Sequence, residues 1–138
     1  VHSDPALILN GDSFFQADLP AFYHWYRQKQ PDCALLLTQV ADTQRFGRVH
    51  ADSDGKLLSF MEKGQPGPGW INTGIYLLSQ DRLQTIPAHR AVSLEHDMFP
   101  AWIGRNFYAY RQTGAFLDIG TPESYAAAAR FFHSKGIA

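Results

Sequence analysis

Two aspartates stand out because each sits where an apolar run gives way to a turn. Asp12 follows Leu9-Asn10-Gly11, and a glycine there lets the backbone come close to a ligand. Asp118 closes Phe116-Leu117, far along the chain. Two carboxylates converging on one spot suit a Mg²⁺ ion bound to phosphate oxygens. Magnesium takes hard oxygen donors and usually keeps one or two carboxylates, leaving its other positions to water and substrate. The plainer reading makes Asp12 a turn residue and Asp118 a cap near the last helix, and spacing alone favours it, since Gly-Asp pairs are common at turns. Glu62-Lys63 precedes a glycine-rich stretch. A lysine there can meet a phosphate as a point charge, and a glutamate can accept from ligand hydroxyls; as an ordinary exposed pair the two would be worth little. Asn72-Thr73-Gly74 interrupts an apolar run. Buried polar groups need partners, of which a polar ligand is one, and a mid-strand glycine marks a bulge or a close approach.

Other chemistries find less support. The six histidines (His2, His24, His50, His89, His96 and His133) show no metal-ligand spacing and read as surface or helix residues. Ser13 lacks the Gly-x-Ser-x-Gly frame of a hydrolase elbow. No phosphate loop and no Gly-x-Gly-x-x-Gly occurs, so the chain has no glycine-rich anion cradle.

The elements that must hold these residues alternate in type. Residues 5–10 read as a short strand buried on both faces. Asp18 caps a helix with Pro20 in its first turn and Leu19, Phe22, Tyr23 and Tyr26 as its apolar stripe. Residues 34–40 form a second buried strand. Residues 48–51 and 56–60 form an antiparallel hairpin about Asp52-Ser53-Asp54-Gly55. The Gly/Pro-rich stretch 64–69 must be a loop, and 70–78 is a strand with Gly74 in its middle. A helix starts at the cap Ser93 and carries Leu94, Met98 and Trp102; 107–111 and 116–120 are strands. Thr121 caps a final helix, with Pro122 and Glu123 in its first turn and Tyr125, Ala128, Ala129 and Phe132 as its stripe. Parallel-type strands alternating with helices, plus a hairpin insertion, predict an α/β sandwich with a mixed sheet. Ligands of such sheets gather beyond the carboxyl ends of the strands, where Asp12 and Asp118 fall.

Composition narrows the classes further. The 138 residues suffice for one domain with a real core and not for two. A net charge of −1 without like-charge runs argues against binding nucleic acid or anionic lipid. The one cysteine, Cys33, lies in an apolar run, apolar stretches are strand-sized, and the first residues lack a signal peptide's pattern. These features predict a cytoplasmic protein.

Six short motifs then occur in one order: Leu-Asn-Gly-Asp (9–12), Arg-Phe-Gly-Arg-Val (45–49), Phe-Met-Glu-Lys-Gly (60–64), Ile-Asn-Thr-Gly-Ile-Tyr (71–76), Ser-Leu-Glu-His-Asp-Met-Phe-Pro (93–100) and Phe-Leu-Asp-Ile-Gly-Thr-Pro-Glu-Ser-Tyr (116–125). The series resembles the nucleotidyltransferases that make nucleotide sugars from sugar 1-phosphates. Within that family it looks most like the D-glycero-D-manno-heptose 1-phosphate guanylyltransferases and their mannose-1-phosphate relatives. Each motif alone is unspecific; six in sequence, spanning nearly the whole chain, are not. The resemblance implies a Rossmann-like three-layer sandwich. It further implies that Asp12 and Asp118 bind Mg²⁺ and that Lys63 takes the phosphate of the sugar 1-phosphate. Glu62 would hold sugar hydroxyls, while Asn72, Thr73 and the backbone near Gly47 and Gly74 would line the sugar pocket.

One departure matters. The family opens with Gly-Gly-x-Gly-Thr-Arg-Leu and a Pro-Lys pair, which hold the nucleotide, and this chain starts after them. The expectation is therefore an N-terminally truncated single domain, 1–138, inactive alone, with an uncovered apolar flank through which copies would associate as a homo-oligomer. Its partners would be a sugar 1-phosphate and a nucleoside triphosphate, without nucleic acid or membrane. Two rivals are a non-catalytic sugar-phosphate-binding module and a metal-dependent glycosyltransferase. Against the latter, Asp12 is followed by Ser13 and Phe14 rather than by a second aspartate one residue on.

Overall fold

The computed structural model describes residues 4–136. In chain order its strands are β1 (Ala6–Leu9), β2 (Ser13–Phe15), β3 (Cys33–Val40), β4 (Val49–Ala51), β5 (Leu57–Phe60), β6 (Gly69–Leu78), β7 (Phe107–Gln112) and β8 (Phe116–Asp118). Its helices are α1 (Leu19–Lys29), α2 (Gln80–Gln84), α3 (Phe99–Trp102) and α4 (Pro122–Ser134), with a π-helical turn, Leu94–Met98, leading into α3.

Four strands form the central sheet in the order β1-β6-β3-β7. β6 runs antiparallel to β1 and β3, while β3 and β7 are parallel. The fold is thus α/β with a mixed sheet, and its two faces carry separate cores. Leu35, Leu37, Tyr76 and Leu78 face Leu57, Met98, Phe99, Trp102 and Phe107. Ala34, Leu36, Ile75 and Leu77 face Phe15, Phe22 and Tyr26. The alternation of odd and even positions between two cores makes residues 33–37 of β3 an unbroken apolar run. Each fully buried leucine of β3 contributes roughly 1.5–3 kcal/mol over exposure. Sheet, α1 side and α3 side are the three layers.

Several expectations change in detail. β1 is an antiparallel edge strand rather than one buried on both faces: Leu7 and Leu9 are 47% and 58% exposed. The α1 stripe narrows to Phe22 and Tyr26, because Leu19 and Tyr23 lie at the solvent side. Ser93 does cap the next element, accepting from the His96 amide at 3.2 Å, but a π turn precedes the short α3. In α4, Tyr125 is 71% exposed and Ala129 is exposed. The side that packs is Ala127, Ala128, Phe131 and Phe132, with Phe131 and Phe132 edge-on to Phe14 at 6.0 and 5.0 Å.

The caps follow the sequence. Asp18 accepts from the Ala21 amide at 3.0 Å, and Thr121 and Ser124 form a reciprocal capping box. In the hairpin turn, Asp52 Oδ1 accepts from the amides of Asp54 and Lys56, each at 2.9 Å. Two elements had no sequence signal: α2, and the ribbon strand β2, which pairs antiparallel with β8 in the register Ser13↔Asp118.

Candidate functional site

The β2–β8 pairing decides where the two aspartates meet. Asp12 immediately precedes β2 and Asp118 ends β8, and the Ile119 amide donates to the Asp12 carbonyl at 2.9 Å. Gly120 follows at the same corner. A Cβ there would lie 3.1 Å from Asp118 Oδ1 and 3.7 Å from Asp12 Oδ2, so both carboxylates border the small space that this glycine leaves. The Gly120 amide donates to Asp118 Oδ1 at 2.9 Å, which fixes that carboxylate's orientation.

The opposite wall is set by an irregularity in β6. Leu35 faces Tyr76 and Leu37 faces Asn72, so Thr73, Gly74 and Ile75 together stand opposite Leu36. This is a bulge with two extra residues. Gly74 has φ +82°, and a Cβ would come within 2.7 Å of Ser13 Oγ and 2.9 Å of Asn10. The Leu36 carbonyl accepts from Thr73 Oγ1 at 2.7 Å. Thr73 is therefore turned into the protein at 1% exposure, and its side chain does not line the site as expected. Asn72 does reach it. Its Oδ1 accepts from the Gly74 amide at 2.7 Å and its Nδ2 donates to Tyr76 Oη at 2.8 Å.

The third wall consists of two loops tied together. Thr43 is buried; its Oγ1 donates to the Gln65 carbonyl and accepts from Arg48 Nε, both at 2.7 Å. The Gly64 amide donates to the Gln44 carbonyl at 3.0 Å. Gly47 is held against the segment just after β5 so tightly that a Cβ would sit 2.7 Å from the Met61 carbonyl oxygen. These ties carry Gly47 and Lys63 to the aspartates. Asp12, Gly47, Lys63, Asn72, Gly74 and Asp118 line one cleft of about 200 Å³. Glu62 borders an adjoining cavity of about 330 Å³, which shares Gly47, Lys63 and Asn72 with the first and adds Phe60 and His96.

One residue at this junction was not singled out from the sequence. Glu95, on the π turn, borders both cavities. Its Oε1 accepts from Tyr76 Oη at 2.9 Å, Asn10 Nδ2 at 3.2 Å and Asn72 Nδ2 at 3.4 Å. Its Oε2 has no hydrogen-bond partner among the described residues. Burial first, and then the Glu95 charge, push the Tyr76 phenol up from its ordinary value, so Tyr76 stays a protonated donor. The signal for Glu95 was Tyr76 itself, a tyrosine in an apolar run whose hydroxyl had to find a partner. The described histidines are all exposed, and His2 lies outside the described residues.

Residues 1–135 match the family described as nucleotidyl transferase. The chain belongs to that family. It is 33% identical over 129 residues to the mannose-1-phosphate guanylyltransferase of Mycobacterium tuberculosis, covering 91% of this chain and 36% of that protein. It is also 33% identical over 120 residues to the D-glycero-alpha-D-manno-heptose 1-phosphate guanylyltransferase of Campylobacter jejuni, covering 87% of this chain and 52% of that one. The crystal structure of HddC from Yersinia pseudotuberculosis complexed with GMP-PN superposes with a TM-score of 0.80 at 30% identity. That match covers 96% of this chain and 57% of the HddC chain. This chain thus spans between about a third and about half of these relatives' lengths.

For a nucleotidyl transferase, the donor set at Asp12 and Asp118 has a plain chemical reading. Among the described residues no three His, Cys, Asp or Glu side chains gather into a metal cage. Two carboxylates bordering one space are oxygen donors of the hard type that magnesium takes. No described helix is long and apolar enough to cross a membrane.

Proposed function

We propose that this chain is the sugar-phosphate- and metal-binding part of an enzyme that transfers GMP from GTP to a mannose- or heptose-type sugar 1-phosphate. The observation that carries the reading is one cleft lined by Asp12, Asp118 and Lys63 together with Gly47, Asn72 and Gly74. In this reading Lys63 holds the phosphate of the sugar 1-phosphate, and Glu62 with Glu95 Oε2 accepts from sugar hydroxyls. Asp12 and Asp118 hold Mg²⁺, which when bound neutralises charge on phosphate oxygens. A phosphate oxygen of the sugar 1-phosphate attacks the α-phosphorus of GTP; the bond from that phosphorus to the bridging oxygen breaks, and pyrophosphate leaves. Such a transfer needs positioning and charge neutralisation more than covalent help. The preference for guanylyl transfer and for mannose or heptose rests on what the relatives are named. The single, buried Cys33 fits a reducing, cytoplasmic setting.

Calorimetry of the chain with mannose 1-phosphate and heptose 1-phosphate, with and without Mg²⁺, tests the half-site. Binding that Lys63→Ala weakens, and that loses its Mg²⁺ dependence in Asp118→Asn, supports the reading. A folded wild-type chain with no affinity for either sugar phosphate would sink it.

A further inference from the structure

The motif Arg45-Phe46-Gly47-Arg48 holds two arginines with opposite fates. Arg48 is consumed by the fold: Nε donates to Thr43 Oγ1 at 2.7 Å and Nη2 to the Pro66 carbonyl at 2.6 Å. Arg45 is exposed, and its guanidinium has no hydrogen-bond or ion-pair partner among the described residues; the same holds for the Lys63 ammonium. Both line the cleft that contains Asp12 and Asp118.

We infer that Arg45 is a second phosphate-binding cation of this cleft, gripping the phosphate of the sugar 1-phosphate together with Lys63; the inference rests on the sugar-phosphate reading above. Charge is the first argument. Asp12, Asp118 and Glu95 face Lys63 in the same cleft, so a dianionic phosphate met by Lys63 alone would enter a space in which carboxylates dominate. Arg45 adds a second positive charge to that lining. Side-chain chemistry is the second. Lysine offers a compact point charge, whereas arginine offers a planar fork that matches two phosphate oxygens at once. The two therefore complement rather than duplicate each other.

Anchoring on both flanks is the third argument. On one side, Gln44 is joined to Gly64, next to Lys63, by the 3.0 Å bond between Gly64 N and Gln44 O. Asp42 Oδ1 adds bonds from the amides of Gln44 at 3.1 Å and Gly67 at 3.2 Å. On the other side, the Phe46 ring meets Phe116 edge-on at 5.6 Å, two residues before Asp118. Arg45 is thus an exposed residue of a loop whose neighbours are tied to the segments bearing Lys63 and Asp118. A long cation with no internal partner, on a backbone fixed to those two segments, is placed for an anion that comes and goes.

The test is calorimetry of the 138-residue chain with mannose 1-phosphate and with unphosphorylated mannose. It compares the wild type with Arg45→Ala, Arg45→Lys and Lys63→Ala at low and high NaCl. The expected result for Arg45→Ala is a Kd for mannose 1-phosphate raised roughly tenfold or more, with a flatter salt dependence. Arg45→Lys should fall between Arg45→Ala and the wild type, and mannose should not tell the variants apart. Because Arg45 makes no internal bond, thermal melts of all variants should coincide; if Arg45→Ala melts early, Arg45→Lys against the wild type decides the question. Unchanged affinity in Arg45→Ala beside a weakened Lys63→Ala overturns the Arg45 assignment and leaves the cleft standing. An equal loss for mannose also overturns it, because Arg45 would then serve the sugar ring. No affinity in the wild type overturns the cleft reading itself, and Arg45 falls with it.

Discussion

On one side of the cleft, Asn72 and Gly74 belong to β6, whose residues from Thr73 to Leu78 are all buried between two cores. On the other side, Asp12 and Asp118 ride on the β2–β8 ribbon, where Phe15 alone is buried and α4 covers without one fully buried residue. Asn72 and Gly74 are therefore fixed by the same burial that folds the chain. The carboxylates are held by a three-residue pairing, a helix cap and an aromatic contact with α4. A protein can open such a peripheral unit without losing its core. The site thus spans a rigid wall and a wall able to yield.

The largest effect should come from breaking the rigid wall. Phe99 is fully buried and meets Tyr76 at 5.0 Å, Phe107 at 5.2 Å and Phe60 at 5.7 Å. Phe99→Ala should cost about 3–5 kcal/mol, read as one cooperative loss of stability in urea. A loss confined to one part of the chain would contradict the shared core. In the yielding wall, Phe132→Ala should cost only about 1–2 kcal/mol, because the ring is half-buried. Its signature should be faster hydrogen exchange in β8 and α4 while β3 and β6 keep their protection. If all four elements speed up together, the two walls are one unit. Thr121→Ala removes half of the capping box and should cost about 1 kcal/mol, again felt in α4.

The smallest effect near neutrality should be that of pH. Cys33 and Tyr76 are both raised by burial from ordinary values of 9.0 and 10.0. The folded state therefore keeps protons that the unfolded state gives up as pH rises. Their contribution is complete below those ordinary values and declines above them, as pH climbs toward the folded values. Urea midpoints should be flat across neutrality and fall above about pH 9. A midpoint that rises through the alkaline range would contradict the burial of both groups.

What was legible in the sequence were features whose cause is local. Asp18 and Thr121 signal caps because their side chains bond amides three residues on. Gly74 signals a bulge because its backbone, at φ +82°, takes a conformation that side chains rarely adopt. Asp12, Lys63, Asn72 and Asp118 were legible through ordered motifs, not through spacing. What stayed hidden depends on distant partners. β2 is Ser-Phe-Phe, with no periodicity to read, and exists because β8 lies beside it. β1 reads as a doubly buried strand because an apolar run does not say which neighbours it has. Glu95 and Arg45 look like surface charges until the fold sets them at a cleft.

The bulge in β6 also limits how this segment can change length. It holds two extra residues rather than one, so strand parity is preserved and Asn72 and Tyr76 face the same core, as do Leu37 and Leu35 opposite them. Losing one residue from Thr73-Gly74-Ile75 would turn everything on one side of the gap to the other face. Asn72 would then part from Tyr76 and Glu95. Viable insertions or deletions at this point should therefore come in twos.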